Sequence, residues 1–167
     1  MAAVLVLATA PSTLTAQKAT FNLAAGLAVP TSDFGDRNDA GYSLIVGMGF
    51  RQLGSPIAAR IEGLYNEFDQ KFAGGKAHAG GITANAVYDI TLSGTGFTPY
   101  VIGGIGYYSS KEPPRIGEGD GQTNVGWNLG GGIRFPLTGF SAYVEARYHS
   151  ISNANVSFAP IVFGLAF

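Results

Sequence analysis

Apolar residues alternate with small or polar residues over long segments of this chain, and that alternation constrains its fold more than any other feature. In residues 125–135, odd positions carry Val, Trp, Leu, Ile and Phe, whereas even positions carry Gly, Asn and Arg. Successive side chains of a β-strand point to opposite faces, so this segment has one apolar face and one small or polar face. A helix would distribute the same residues around its axis. The chain is therefore predicted to be all-β.

The same alternation recurs in eight segments, at about 20–29, 41–52, 57–69, 79–91, 98–108, 125–135, 141–151 and 156–167. Each is about 10–13 residues long, which suits a strand that crosses a bilayer at a tilt. The fifth is ambiguous because both faces are apolar, with Tyr100 and Tyr108 on one and Ile105 on the other. Connections after even-numbered strands are short and the others are mostly longer, as in bacterial barrels with periplasmic turns. The prediction is an eight-stranded antiparallel up-and-down transmembrane β-barrel with both termini periplasmic.

The first sixteen residues are predicted to be a signal peptide. Residues 2–10 form a continuous apolar run, and residues 11–16 resemble a cleavage region that ends at Ala16. No Lys or Arg precedes the apolar run, so either the true start lies upstream of Met1 or the signal is atypical. A buried first strand is the alternative. The predicted organisation is a signal peptide at 1–16 and one barrel domain at 17–167.

Composition agrees with a barrel in an apolar medium and excludes several classes of function. Charged residues make up only 13% of the chain, about half the share in a soluble domain, and there are 25 glycines. A net charge of −1 excludes the basic footprint of a nucleic-acid-binding protein. The absence of cysteine excludes disulfides and thiolate metal sites. No cofactor is predicted.

Alternation alone does not say which face points outward, because a soluble lipocalin-like barrel has the same period. Three features favour an apolar exterior. All four lysines lie near strand ends or in loops, and the residues opposite the apolar face are mostly small, as a narrow interior requires. Aromatic residues also gather near strand ends, as at membrane interfaces. One aromatic girdle is predicted at Tyr42, Tyr65, Tyr108, Trp127 and Tyr148, and a second at Phe50, Tyr88, Phe135 and Phe167.

With the apolar face outward, seven charged residues point into the lumen, namely Arg51, Arg60, Glu62, Asp89, Arg134, Glu145 and Arg147. Isolated charges there would be costly, so these side chains are expected to pair across the bore. An internal ion-pair core that fixes strand register is the main interpretation. A proton or ion path is the alternative, although eight strands leave an interior filled by side chains.

From about Thr20 onward the chain resembles the OmpA/OmpX-like eight-stranded barrels of the broad outer-membrane β-barrel domain family. The resemblance is carried by the glycine-rich strand at 98–107 and by alternating apolar residues that end on an aromatic, Ile161, Phe163, Leu165 and Phe167. It implies a bacterial outer-membrane location and contact with outer-membrane lipid and lipopolysaccharide. It also implies that the barrel-assembly machinery recognises the last segment. Members differ in function, so the resemblance predicts architecture and not activity.

Residues 148–155 carry the most suggestive chemistry. They are similar to the His-x-Ser-Asn-Ala segment of outer-membrane lipid A deacylases, which implies Ser152 as nucleophile and His149 as base. The match is imperfect, because Ser150 occupies the position of that histidine and His149 points to the opposite face of a strand. No Asp or Glu follows Ser152. No catalytic site is therefore predicted, and His149 and Ser152 are weak candidates.

Two loops are acidic, with Asp33, Asp36 and Asp39 in one and Glu118 and Asp120 in another. Their spacing matches no EF-hand, so solvated charge is expected and no metal site is predicted.

The longest loop, 109–123, contains Pro113-Pro114 among charged residues and suits surface binding. The predicted function is a non-enzymatic outer-membrane barrel with a structural or surface-interaction role through its extracellular loops. The alternatives are a lipid A deacylase-like hydrolase, a narrow pore for small solutes and a soluble ligand-binding barrel.

Overall fold

A computed structural model of the chain describes residues 17–72, 75–111, 122–152 and 156–167. The described residues form a closed barrel of eight antiparallel strands in which β1 pairs with β8. The strands are β1 (Gln17–Thr31), β2 (Gly41–Gln52), β3 (Ile57–Asp69), β4 (Lys76–Asp89), β5 (Thr98–Lys111), β6 (Gln122–Pro136), β7 (Ser141–Ile151) and β8 (Val156–Ala166). The predicted up-and-down architecture is confirmed. The predicted signal peptide lies outside the described residues.

The predicted bounds of β2, β3 and β7 agree with the structure, whereas several other strands extend further. β5 and β6 continue their pairing to Ser110 and Gln122, beyond the end of the clear alternation. Backbone hydrogen bonds sustain a ladder where the side chains are polar, which a pattern of hydrophobicity does not register. A short helix, α1 (Ser32–Arg37), follows β1 and was not predicted. The described residues include no helix with the length and apolar character needed to cross a membrane.

The two ends of the barrel differ in their connections. We call the end at residues 53–56, 90–97 and 137–140 the turn end, and the opposite end, which carries α1, the loop end. The predicted alternation of short and long connections is not strict, because 90–97 at the turn end is longer than 70–75 at the loop end.

The outward face of the wall is apolar. Large exposed side chains occur on every strand, including Leu27, Leu44, Ile61, Ile82, Ile105, Leu129, Val144 and Phe163. A soluble monomer rarely exposes a continuous apolar surface of this extent. β5 is no longer ambiguous, because Tyr107 is 68% exposed and Tyr108 is fully buried. Odd-numbered residues of β5 therefore face outward and even-numbered ones face the interior.

The facing of β5 corrects one residue of the predicted aromatic girdle. Tyr42, Tyr65 and Trp127 are exposed on the outer wall, and Tyr148 is half-buried beside Trp127, with ring centroids 5.7 Å apart. Tyr108 was wrongly assigned to the girdle, because its even position in β5 directs the ring into the lumen. A role for the outward-facing aromatics at the membrane interface stays a prediction.

Candidate functional site

The barrel interior is filled by three successive layers of side chains. The turn-end vestibule consists of Lys18, Arg51, Asp89 and Arg134; the central ion network of Arg60, Glu62, Glu145 and Arg147; and the aromatic layer of Phe34, Phe68, Tyr108, His149 and Phe158. The seven charged residues predicted to face the lumen thus divide into two groups along the barrel axis. The aromatic layer lies at the loop end.

The central ion network joins β3 to β7 across the bore. Arg147 Nη1 lies 2.7 Å from Glu62 Oε2, and Arg147 Nε lies 2.7 Å from Glu145 Oε1. Arg60 Nε lies 3.0 Å from Glu62 Oε1, and Arg60 also pairs with Glu145. All four side chains are nearly inaccessible to solvent. Two guanidinium groups and two carboxylates therefore neutralise one another, as buried charges must.

Neutral side chains satisfy further polar atoms of this network. Tyr100 donates its hydroxyl hydrogen to Glu145 Oε2 at 2.8 Å, and the Asn85 amide donates to Glu62 Oε2 at 2.9 Å. Gly130 makes room for the network, since a Cβ at that position would lie 2.6 Å from Cγ of Arg147. The glycine-rich middle of β6 therefore accommodates the bulky charged side chains of β7.

Lys18, Arg51 and Arg134 of the turn-end vestibule line a cavity of about 390 Å³. Arg51 Nη2 and Arg134 Nη1 each lie 2.8 Å from the same oxygen of Asp89, Oδ2. The Arg134 guanidinium also lies over the ring of Tyr100, 4.9 Å from its centroid. These contacts hold β2, β4 and β6 together near the turns.

The aromatic layer closes the loop end. The Phe68 ring contacts Phe34 of α1 and Phe158 of β8, with centroids 5.0 and 5.7 Å apart. His149 stacks on Phe158 at 5.0 Å with the rings almost parallel, and its Nδ1 lies 3.0 Å from the Tyr108 hydroxyl. All five side chains are buried. Because α1 inserts Phe34 among these rings, the helix acts as a lid packed over the bore.

The structure does not bring His149 and Ser152 together. His149 is fully buried in the lumen, and its Nε2 has no hydrogen-bond partner in the described part of the chain. Ser152 is exposed beyond the end of β7, and its backbone N–H donates to the carbonyl of Val125 at 2.9 Å. A serine activated by histidine requires the two side chains within hydrogen-bond reach. Residues 153–155, which complete the suggestive segment, lie outside the described residues.

A polar cluster on the outer wall at the loop end was missed by the sequence analysis. This outer-wall cluster consists of Tyr42, Tyr65, Glu67, Lys76 and His78. Tyr42 donates its hydroxyl hydrogen to Glu67 at 3.1 Å, the Tyr65 hydroxyl lies 2.7 Å from His78 Nδ1, and Lys76 pairs with Glu67. Glu67 and His78 are direct partners in the β3–β4 register. The β2–β3 and β3–β4 registers bring these side chains together, and alternation alone does not pair them.

The acidic loop residues form no metal site where they can be assessed. In the described ranges, no group of three or more His, Asp or Glu side chains is placed to hold a metal ion. Glu118, Asp120 and the Pro113-Pro114 pair lie outside those ranges.

The predicted assembly signal lies on the outer wall of β8. Ile161, Phe163 and Phe167 are 50%, 57% and 55% exposed, and Leu165 is half-buried. Recognition of this segment by an assembly machinery stays a prediction.

Comparisons with known proteins agree with this geometry. The sequence matches the model of the outer membrane protein beta-barrel domain over residues 1–167. Neisserial surface protein A has a similar structure, with a TM-score of 0.67 and 17% identity over 90% of this chain and 97% of that one. No curated protein sequence matches.

Two further solved structures share the fold. The N-terminal barrel domain of Pseudomonas aeruginosa OprF has a TM-score of 0.57 and 18% identity, over 89% of this chain and 97% of that one. The outer membrane enzyme PagL has a TM-score of 0.53 and 17% identity, over 89% of this chain and 98% of that one. At these identities the likeness establishes the fold alone. The same fold thus occurs in a surface protein and in an enzyme.

Proposed function

Because the chain belongs to the outer membrane protein beta-barrel domain family, we propose that it is a non-enzymatic barrel of the bacterial outer membrane that acts at the cell surface through its loops. In this proposal residues 1–16 are a signal peptide, and both termini and the turn end face the periplasm. The loop end then faces outward, where exposed loops carry binding and structural contacts with other surface components.

The filled interior is the observation that carries the proposal. A pore needs a continuous water-filled path, but the aromatic layer and the central ion network occupy successive levels of the bore. The Phe34 side chain is only 2% exposed and packs edge-on against Phe68. A narrow eight-stranded barrel filled in this way favours a scaffold over a conduit. Interaction is then left to the surfaces at the two ends and to the outer wall.

The positions of His149 and Ser152 support a non-enzymatic role. The histidine is enclosed behind Phe158, whereas the serine is exposed beyond the strand. A lipid A substrate would reach the barrel from the outer leaflet, where it would meet the serine without the base. The shared fold with PagL gives no residue-level support for hydrolysis at this pair.

The outer-wall cluster supports contact with lipopolysaccharide. Lys76 is exposed at the loop end, beside His78 and the hydroxyls of Tyr42 and Tyr65. In the proposed orientation these groups lie at the level of outer-leaflet headgroups, where Lys76, although paired with Glu67, is exposed and suits a phosphate group. The outward aromatics of β8 would serve the barrel-assembly machinery before insertion.

Loop replacement in whole cells tests the proposed function. One variant replaces residues 112–121 with an equal length of glycine and serine, and a matched control replaces residues 92–96 at the turn end in the same way. Cell adhesion to matrix-coated surfaces and envelope permeability to a large dye are measured. Boiled and unboiled gel samples verify that each barrel is folded. We expect the loop-end variant to lose adhesion or barrier function and the turn-end variant to retain both.

Two further measurements test the alternative functions, a hydrolase and a pore. Lipid A mass spectra are compared between wild type and Ser152→Ala, and conductance is recorded in planar bilayers. A Ser152-dependent loss of an acyl chain would establish the hydrolase. Steady conductance through the intact barrel would establish the pore.

A further inference from the structure

The turn-end vestibule contains more positive than negative groups. Asp89 provides one carboxylate for two guanidinium groups, because Arg51 and Arg134 both bind its Oδ2. Its second oxygen, Oδ1, has no hydrogen-bond partner in the described part of the chain. Lys18 lines the same cavity and forms no hydrogen bond or ion pair with any described residue. Among the described residues, three cationic side chains and only one carboxylate side chain therefore gather at this end of the bore.

Two of these cations are held side by side by the strand register. Lys18 on β1 is the direct cross-strand partner of Arg51 on β2. Both line the cavity, and like charges placed directly opposite each other on an antiparallel pair repel. An anion between the two side chains would convert this repulsion into two attractions.

An unpartnered hydrogen-bond donor lies deeper in the same cavity. Asn22 is 4% exposed, lines the cavity, and its amide nitrogen has no hydrogen-bond partner in the described part of the chain. Buried amides nearly always have a partner, so an unpaired one calls for an explanation. Because Gly49 has no side chain, the space beside the Asn22 amide stays open. A Cβ at position 49 would lie 2.6 Å from the Thr20 hydroxyl and 3.5 Å from the Asn22 amide nitrogen.

We propose that the turn-end vestibule binds a small phosphate-bearing anion. Lys18 and Arg51 supply the charge, and Thr20 and Asn22 supply neutral hydrogen bonds. Guanidinium and ammonium groups are the side chains that proteins use for phosphate, and the two types combine a fork of donors with a compact charge. The cavity of about 390 Å³ is large enough for phosphate and a small organic group.

The central ion network limits how far a ligand can enter the bore from the turn end. Arg60 reaches the inner boundary of the cavity but is neutralised by Glu62 and Glu145. The ligand is therefore expected to enter from the turn end and to stop at this network. This inference concerns the end of the barrel opposite the loops and does not depend on the proposed surface role.

Direct binding of inorganic phosphate is the first test. The full chain is refolded in an uncharged detergent, and binding is followed by phosphorus NMR and by the temperature at which the barrel unfolds. Chloride at equal ionic strength serves as the reference. We expect saturable binding that raises the unfolding temperature. Absence of binding at millimolar phosphate, or a response that chloride reproduces, would overturn the proposal.

Lysine variants at the two ends of the barrel locate the site. Lys18→Gln is expected to weaken phosphate binding by about tenfold or more, as loss of a charge-assisted hydrogen bond does. Without phosphate it should match or exceed the wild-type unfolding temperature, because it removes the repulsion with Arg51. Lys71→Gln, at the exposed loop end, removes a hydrogen bond to the Gly35 carbonyl and should leave phosphate binding unchanged. Equal effects of the two variants would refute a site in the vestibule.

A third variant tests the site by placing a carboxylate in it. Thr20→Glu would place a carboxylate beside Lys18 and Arg51 and should stabilise the barrel while abolishing phosphate binding. Stabilisation with phosphate binding retained would contradict the assignment. Bilayers with and without phosphatidylglycerol, compared with added glycerol phosphate, distinguish a lipid headgroup from a free phosphate ester as the source.

Discussion

Replacement of Arg147 by methionine tests whether the central ion network holds the barrel together. The Arg147 side chain is 1% exposed and lies 2.7 Å from an oxygen of Glu62 and 2.7 Å from an oxygen of Glu145. Without it, two buried carboxylates share one guanidinium, that of Arg60. Removing one partner of a buried ion pair costs about 3–5 kcal/mol. Folding should therefore weaken by about two to four powers of ten.

A charge-balanced double variant separates the electrostatic effect from simple loss of packing. Arg147→Met combined with Glu62→Gln leaves Arg60 paired with Glu145, which keeps the hydrogen bond from Tyr100 at 2.8 Å. The double variant then lacks only hydrogen bonds, a cost of about 1–2 kcal/mol. It is expected to be more stable than the single variant by about 2–3 kcal/mol. Non-additivity of this size is typical of residues in one ionic network.

Urea unfolding of the barrel in lipid vesicles measures the difference. The chain has a single tryptophan, and Trp127 is 46% exposed on the outer wall. Its fluorescence should therefore shift as it leaves the lipid. Free energies extrapolated to zero urea are compared only if the slopes with urea concentration agree. Arg147→Lys, which keeps the charge but loses the fork of donors, should fall between wild type and Arg147→Met.

The reasoning would be refuted by either of two results. If Arg147→Met costs less than about 1 kcal/mol, the network contributes no more than an exposed ion pair does. If the double variant is as unstable as the sum of its single variants, the charges of Arg147 and Glu62 are not coupled.

Three further predictions concern the pairing of β1 with β8, the aromatic layer and the catalytic candidate Ser152. Gly26→Ala should prevent barrel closure and abolish the heat-dependent gel shift, because a Cβ there would lie 2.0 Å from the Ile161 carbonyl oxygen. The matched control Gly63→Ala should fold normally, because a Cβ at that position would have no neighbour nearer than 3.8 Å. Phe158→Ala should lower the urea unfolding free energy by about 3–5 kcal/mol, since it opens a cavity between buried rings. Ser152→Ala should leave the lipid A mass spectrum unchanged, and any acyl chain that is lost only when Ser152 is present would contradict the non-enzymatic role.

The fold was predictable because one physical constraint acts on every strand. A wall between lipid and a narrow bore requires large apolar side chains on one face and small or paired polar ones on the other, so alternation at 41–52 or 141–151 specifies both strand and facing. The constraint fails where both faces are apolar. In β5, Tyr100 and Tyr108 fill the bore, so the pattern alone could not exclude Tyr108 from the girdle.

The candidate sites were less predictable because their side chains meet only when the strands pair in register and the barrel closes. Alternation directs Arg60 and Glu145 into the lumen, but it does not pair two residues that lie 85 positions apart. The like-charge pair of Lys18 and Arg51 appears only once the β1–β2 register is known. α1 has no amphipathic repeat long enough to be recognised, since it is six residues long and buries one side chain, Phe34.

The order of the interior layers explains why the two ends of the barrel differ in their capacity to bind a ligand. The central ion network is charge-balanced, with two guanidinium groups against two carboxylates, and the aromatic layer fills the loop end. The vestibule is neither balanced nor closed, because Lys18 and the Asn22 amide have no partners in the described part of the chain. Lys18 is exposed, but Asn22 is only 4% exposed, and burying an unpaired amide opposes folding unless a ligand or water satisfies it. A scaffold selected only for stability would be expected to lose this unpaired amide, so its position at one mouth, in the same cavity as Lys18, argues that the turn end has a binding role of its own.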